Sequence, residues 1–95
     1  MPTYERSPEF IRFYAGLSVD QKRQFREAVA KFVADLAGGG GFRAGLRVKG
    51  VKGSPGMYEM TWARDGRAVF SYGAPIREHE PHIVWHAVDT HDVLP

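Results

Sequence analysis

The stretch from Leu46 to Tyr72 constrains this chain most, because it carries a period of two that only strands can use. Tyr58, Met60 and Trp62 alternate with Glu59, Thr61 and Ala63; after a turn, Ala68, Phe70 and Tyr72 alternate with Arg67, Val69 and Ser71. Each strand therefore has an apolar side and a mostly polar one. A two-residue Asp65-Gly66 hairpin would pair Trp62 with Val69, setting the aromatic row of one strand beside the polar row of the other. A three-residue loop, Arg64-Asp65-Gly66, pairs Ala63 with Arg67 and Met60 with Phe70. It gathers the large apolar side chains on one face and uses Gly66 as its left-handed residue. This second register is the predicted one, and it places Glu59, Thr61 and Arg67 together on the polar face.

The segments around this hairpin complete an α+β pattern. Ser7-Pro8-Glu9 is a helix start, with Ser7 as N-cap and Pro8 at the first helical position; Phe10, Phe13, Tyr14 and Leu17 then follow helical spacing. Ser18-Val19-Asp20-Gln21 is a capping box opening a second helix to about Ala37. Its apolar stripe is Phe25, Val29, Phe32, Val33 and Leu36, and Glu27 to Lys31 is a favourable i,i+4 pair. After the glycines at 38–41 a first strand is predicted from Leu46 to Val51 or Lys52, with Leu46 and Val48 inward, Arg47 and Lys49 outward, and Gly50 marking a bulge or close approach. Gly53-Ser54-Pro55-Gly56 is a tight turn. The segment 74–81 is a surface loop, and His82 to Val88, nearly continuous in apolar character, is an interior strand. The prediction is one α+β domain over residues 1–95: an N-terminal helical hairpin packed on a small, four-stranded, mostly antiparallel sheet with one face open.

Composition narrows the class. With 95 residues, 43% of them hydrophobic and twelve aromatic, the chain supports one core. No apolar run approaches the roughly 18 residues of a membrane span, and the N-terminal residues lack a signal-peptide core, so a cytoplasmic protein with no membrane partner is expected. The absence of cysteine removes disulfides and thiolate metal sites. His82 and His86 are spaced i,i+4, which suits zinc on a helix but separates them by roughly 13 Å on a strand, so no metal is expected. The net charge of +2 is slight, yet Arg43, Arg47, Lys49 and Lys52 lie in a run without an acid. On a polar sheet face Arg47, Lys49 and Lys52 form either a phosphate track or a solvated edge protected against aggregation.

The element order, together with Gly56-Met57-Tyr58-Glu59-Met60 beside Arg67-Ala68-Val69-Phe70-Ser71-Tyr72, resembles the RelE/ParE superfamily of toxins from bacterial toxin–antitoxin pairs. These two segments are similar to that family's "YEL" strand and its arginine-hydrophobic-hydrophobic-tyrosine strand, although Thr61 stands where "YELR" members have arginine. The resemblance implies a ribosome-dependent mRNA endoribonuclease, or in its ParE branch an inhibitor of DNA gyrase that cleaves no RNA. A catalytically silent binding module of the same fold is a third alternative. It further implies a cognate antitoxin covering the polar face, and neither metal nor cofactor. By the same resemblance Arg67 matches the family's catalytic arginine, suited to a bidentate hold on a scissile phosphate. His91, beyond the last strand, stands where relatives carry a proton-transferring histidine or tyrosine; otherwise it is a solvated tail residue. Glu59 is either a general base or an ion-pair partner of Arg67. Arg47, Lys49 and Lys52 would hold RNA phosphates.

Overall fold

The computed structural model describes residues 2–90. Eight elements follow in order: β1 (Thr3–Arg6), α1 (Pro8–Ala15), α2 (Val19–Gly38), a 3-10 turn (Ala44–Leu46), β2 (Lys49–Gly50), β3 (Met57–Ala63), β4 (Gly66–Gly73) and β5 (His82–Thr90). The sheet order is β1-β5-β4-β3-β2, with β1 parallel to β5 and the remaining pairs antiparallel. The sheet thus has five strands, not four. Thr3–Arg6 carries little apolar character and is mostly exposed; it is a strand because it pairs with residues nearly eighty positions away. Thr3 Oγ1 lies 2.7 Å from His82 Nδ1, and Glu5 Oε1 lies 2.8 Å from His82 Nε2. A carboxylate only accepts, so Nε2 donates to Glu5 and Nδ1 accepts from the Thr3 hydroxyl. This pairing satisfies a buried histidine, 3% exposed, and ties the edge strand down.

Both helices begin where the capping residues place them. Ser7 accepts from the Phe10 N–H (3.1 Å). Ser18 accepts from Gln21 N–H (3.1 Å) while Gln21 Oε1 accepts from the Ser18 N–H (2.8 Å), closing the capping box. Gly39, left-handed at φ 71°, ends α2. The helices touch through Phe10, Tyr14 and Phe25, but each docks mainly on the sheet, α1 on β5 and α2 on β3, rather than forming a self-contained hairpin. On α2 it is Arg23 that pairs with Glu27 (3.0 Å) and with Asp20 (3.0 Å), in place of Lys31.

The core lies between the helices and one sheet face. Phe32, fully buried, is its centre: its ring stacks on Phe42 at 4.8 Å and meets Phe70 and Trp85 edge-on or tilted at 4.9 and 5.3 Å. Met60, Trp62, Ala68 and Phe70 supply the hairpin's share of this face, so the predicted apolar side is the observed one. The register differs. Met60 pairs with Ala68 and Thr61 with Arg67, while Ala63 pairs with Gly66 across a two-residue Arg64-Asp65 turn, a shift between Thr61 and Ala63 absorbing one residue at Trp62. This irregularity restores the parity that a plain two-residue loop would break.

The predicted first strand is also shorter. Arg43 donates from its backbone N–H and Nε to Asp35 Oδ2 (3.0 and 2.8 Å) and from Nη2 to Oδ1 (2.8 Å), clamping this segment to α2. From that anchor the chain must turn to bury Leu46, and it does so through the 3-10 turn and a left-handed Arg47 (φ 46°), leaving only Lys49–Gly50 as strand. A Cβ on Gly50 would meet nothing closer than 4.0 Å, so no close backbone approach occurs there. The interior position of the last strand, by contrast, matches the prediction, and the strand runs on to Thr90.

Candidate functional site

The sheet face turned away from the helices is open, and its side chains are set by strand alternation. Glu59 and Thr61 come from β3, Arg67, Val69 and Ser71 from β4, and Asp89 from β5. Arg67 stands between Thr61 on one neighbouring strand and Asp89 on the other. Two contacts fix it. The Trp62 indole Nε1–H donates to the Arg67 carbonyl at 3.0 Å, and Arg67 Nη1 donates to the Gly66 carbonyl at 2.9 Å. The indole passes so close over Gly66 that a Cβ there would lie 2.5 to 2.8 Å from three ring atoms. Gly66 is therefore required for its missing side chain; it is not among the residues with positive φ, so the left-handed role expected of it does not apply.

Beside Arg67 opens a groove of about 560 Å³ between α2, the 3-10 turn and the β3–β4 turn. Lys31, Arg43, Arg47, Arg64 and Arg67 line it, against one acid, Glu27. Glu27 is engaged by Arg23, and Arg43 by Asp35. Among the described residues Lys31, Arg47, Arg64 and Arg67 have no acidic partner within ion-pair distance, which leaves the groove positive. The Arg43 guanidinium and backbone N–H hold the Asp35 carboxyl down at about 2, and Asp35 raises Arg43 in turn.

The residues singled out from the sequence divide. Arg67 and Arg47 lie together in this groove. Glu59 shares the face, but its partner is Lys49, at 3.3 Å, and not Arg67. The cause is register: Lys49 sits directly opposite Glu59 in the β2–β3 ladder. Lys52 lies exposed in the turn beyond β2 and does not line the groove. His91 falls outside the described residues; Thr90, the last described residue, pairs with Gly66. His82 serves β1, while His86 Nε2 lies 2.8 Å from Ser71 Oγ, so the two histidines have separate partners. Tyr72 lies on the helix side of the sheet, where burial and the neighbouring Tyr58 push its hydroxyl up.

Three site residues were not legible in the sequence. Asp89, 8% exposed, donates nothing and accepts from the Thr90 N–H at 2.8 Å; its place beside Arg67 depends on a bulge in β5 that no pattern announces. Lys31 and Arg64 reach the groove from a helix and a turn far apart in the chain, where each reads as an ordinary solvated charge.

The architecture so described, two helices on one face of a five-stranded sheet, is shared with solved structures of small toxins. A chain of the Escherichia coli DinJ–YafQ toxin–antitoxin complex superposes with TM-score 0.66 at 14% identity, over 98% of this chain and 96% of that one. The YoeB dimer of Staphylococcus aureus gives 0.65 at 13% over 95% and 97%. A copper-bound mutant toxin of Helicobacter pylori gives 0.66 at 12% over the whole of both chains. The fold is thus the RelE-like one that the resemblance implied. No protein-family model matches the sequence, and no curated protein matches it.

Proposed function

We propose that this chain is the toxin of a toxin–antitoxin pair and acts as an endoribonuclease on mRNA at the ribosome. The observation that carries the reading is Arg67: a residue of the open sheet face, its guanidinium without an acidic partner among the described residues, anchored at its backbone by Trp62, at the mouth of the cationic groove that α2 and the hairpin turn enclose. Arginine in that setting binds a phosphodiester through two parallel N–H donors and stabilises the charge that builds on it. In the reaction the 2′-hydroxyl loses its proton and attacks the adjacent phosphorus. The bond to the 5′-oxygen breaks, and that oxygen takes up a proton, leaving a 2′,3′-cyclic phosphate and a 5′-hydroxyl. Arg67 supplies the positive charge. His91, next in the chain after Thr90, which pairs with Gly66, moves the proton. Glu59 orients Lys49, and Lys49 with Arg47, Lys31 and Arg64 tracks the RNA backbone, with Lys52 farther out along it. The antitoxin partner is expected to present acidic side chains to the same groove.

The test is primer extension on a defined mRNA in cell-free translation, with and without ribosomes, for the wild type, Arg67→Ala and His91→Ala. Discrete cuts that need ribosomes and vanish with Arg67→Ala are the expected result. Full-length mRNA at high protein concentration would overturn the reading and direct attention to DNA gyrase supercoiling.

A further inference from the structure

The open face carries a second polar pair that the proposed cleavage chemistry does not use. In β5 the ladder passes from Ala87 opposite Val69 directly to Trp85 opposite Phe70, so His86 has no partner of its own on β4 and forms a bulge. The bulge is held from the β1 side. Ser7, the N-cap of α1, donates its backbone N–H to the Trp85 carbonyl (2.9 Å), continuing the parallel β1–β5 ladder, and its hydroxyl to the carbonyl of the bulged His86 (3.1 Å). On the open side Ser71 Oγ fixes His86 Nε2 at 2.8 Å. Both side chains are half-buried. Bulges of this kind re-aim one side chain, and here the re-aimed group is an imidazole on the same face as Arg67.

We infer that His86, presented by the bulge and steadied by Ser71, contacts a nucleobase adjacent to the scissile phosphate and so selects which RNA sites are cut. This rests on the ribonuclease reading. His86 is three positions along β5 from Asp89, which stands opposite Arg67 in the β4–β5 ladder without an ion pair between them. The two side chains stand roughly perpendicular to the sheet with bases about 10 Å apart, too far to share one phosphate and suited to neighbouring nucleotides. The chemistry fits a base. Among the described residues Nδ1 has no hydrogen-bond partner. Because the Ser71 hydroxyl can donate or accept at Nε2, Nδ1 is free to take the opposite role toward a base edge, while the ring offers a face for stacking. Such unstacked, single-stranded bases are what sequence-selective RNA sites engage.

Two measurements test this on the full chain. The first maps every cut in a defined mRNA for the wild type, His86→Ala, His86→Gln and Ser71→Ala, with unfolding midpoints confirming that each variant folds. Cleavage should persist while the relative use of individual sites shifts by about 5- to 10-fold, the weight of one hydrogen bond. An unchanged ranking of sites, or an equal loss at all of them, overturns the inference. The second uses the Arg67→Ala protein and short RNAs with 2′-deoxy substitutions that block cleavage. The His86 ring resonances, identified by their loss in His86→Gln, should move on RNA addition, by amounts that differ between RNAs changed at one base. Movement without any cleavage by the wild type would sink the ribonuclease reading and leave the base contact standing. Cleavage with His86 resonances indifferent to base identity would do the reverse.

Discussion

Replacing Gly66 with alanine isolates the contact that holds Arg67 in place. The added Cβ would lie 2.5 Å from Trp62 Cε2 and 2.6 Å from Cδ2, well inside van der Waals contact with a buried indole that cannot swing aside. Forcing that ring outward carries an overpacking cost of about 1–3 kcal/mol. It also breaks the Trp62 Nε1 bond to the Arg67 carbonyl, worth about 1 kcal/mol more. The sum, about 2–4 kcal/mol, corresponds to a fall in Tm of roughly 10–25 °C for a domain of this size. Urea unfolding followed by tryptophan fluorescence measures the loss, and Gly66→Asn supplies the control. If Gly66 were needed for a left-handed backbone, asparagine would be tolerated; if the indole excludes a side chain, asparagine is at least as damaging as alanine. A double-mutant cycle with Trp62→Leu should recover part of the loss, since the smaller side chain makes room. A Gly66→Asn protein as stable as the wild type would refute the packing argument, and with it the reason given for the position of Arg67.

Other expectations follow from single contacts. Ser18→Ala removes one capping box and should cost about 1 kcal/mol by urea midpoint. Ser7→Ala should cost more, by about another 1 kcal/mol, because the same hydroxyl also serves the His86 carbonyl. Asp35 is depressed from 3.8 to about 2 by Arg43, so the pair's contribution to stability is complete above 3.8 and is lost as pH falls toward 2. The wild-type midpoint should therefore decline over that range more steeply than that of Asp35→Asn, and parallel profiles would contradict the pairing. Charge reversal at Arg64 or Lys31 to glutamate should weaken binding of a short RNA and flatten its salt dependence, measured by fluorescence anisotropy. Lys52→Glu, outside the groove, should do so less.

What could be read in advance was whatever depends on near neighbours in sequence. Helix starts at Ser7 and Ser18, the end of the second helix at the glycines at 38–41, the apolar side of the hairpin and the interior place of the last strand all follow from residues within a few positions of one another. Arg67 belongs with them, since alternation alone puts it on the open face. The departures share a cause. Thr3–Arg6 becomes a strand only because His82 and its neighbours are there to pair with it. Arg43 breaks the expected first strand because Asp35 holds it, and Glu59 meets Lys49 rather than Arg67 because of how β2 falls against β3.

The sequence by itself determined the α+β class, the two helices, the sheet faces and the place of Arg67 on the open one. Tertiary structure decided the number of strands, the register with its two bulges, and the company Arg67 keeps: Trp62 across Gly66, Asp89 alongside, Lys31 and Arg64 around the groove. The physical reason is that a period of two specifies which way a side chain faces but not how far one strand slides along the next. That distance is set by closing the core around Phe32 and Trp62, and the same closure brings the distant cations together.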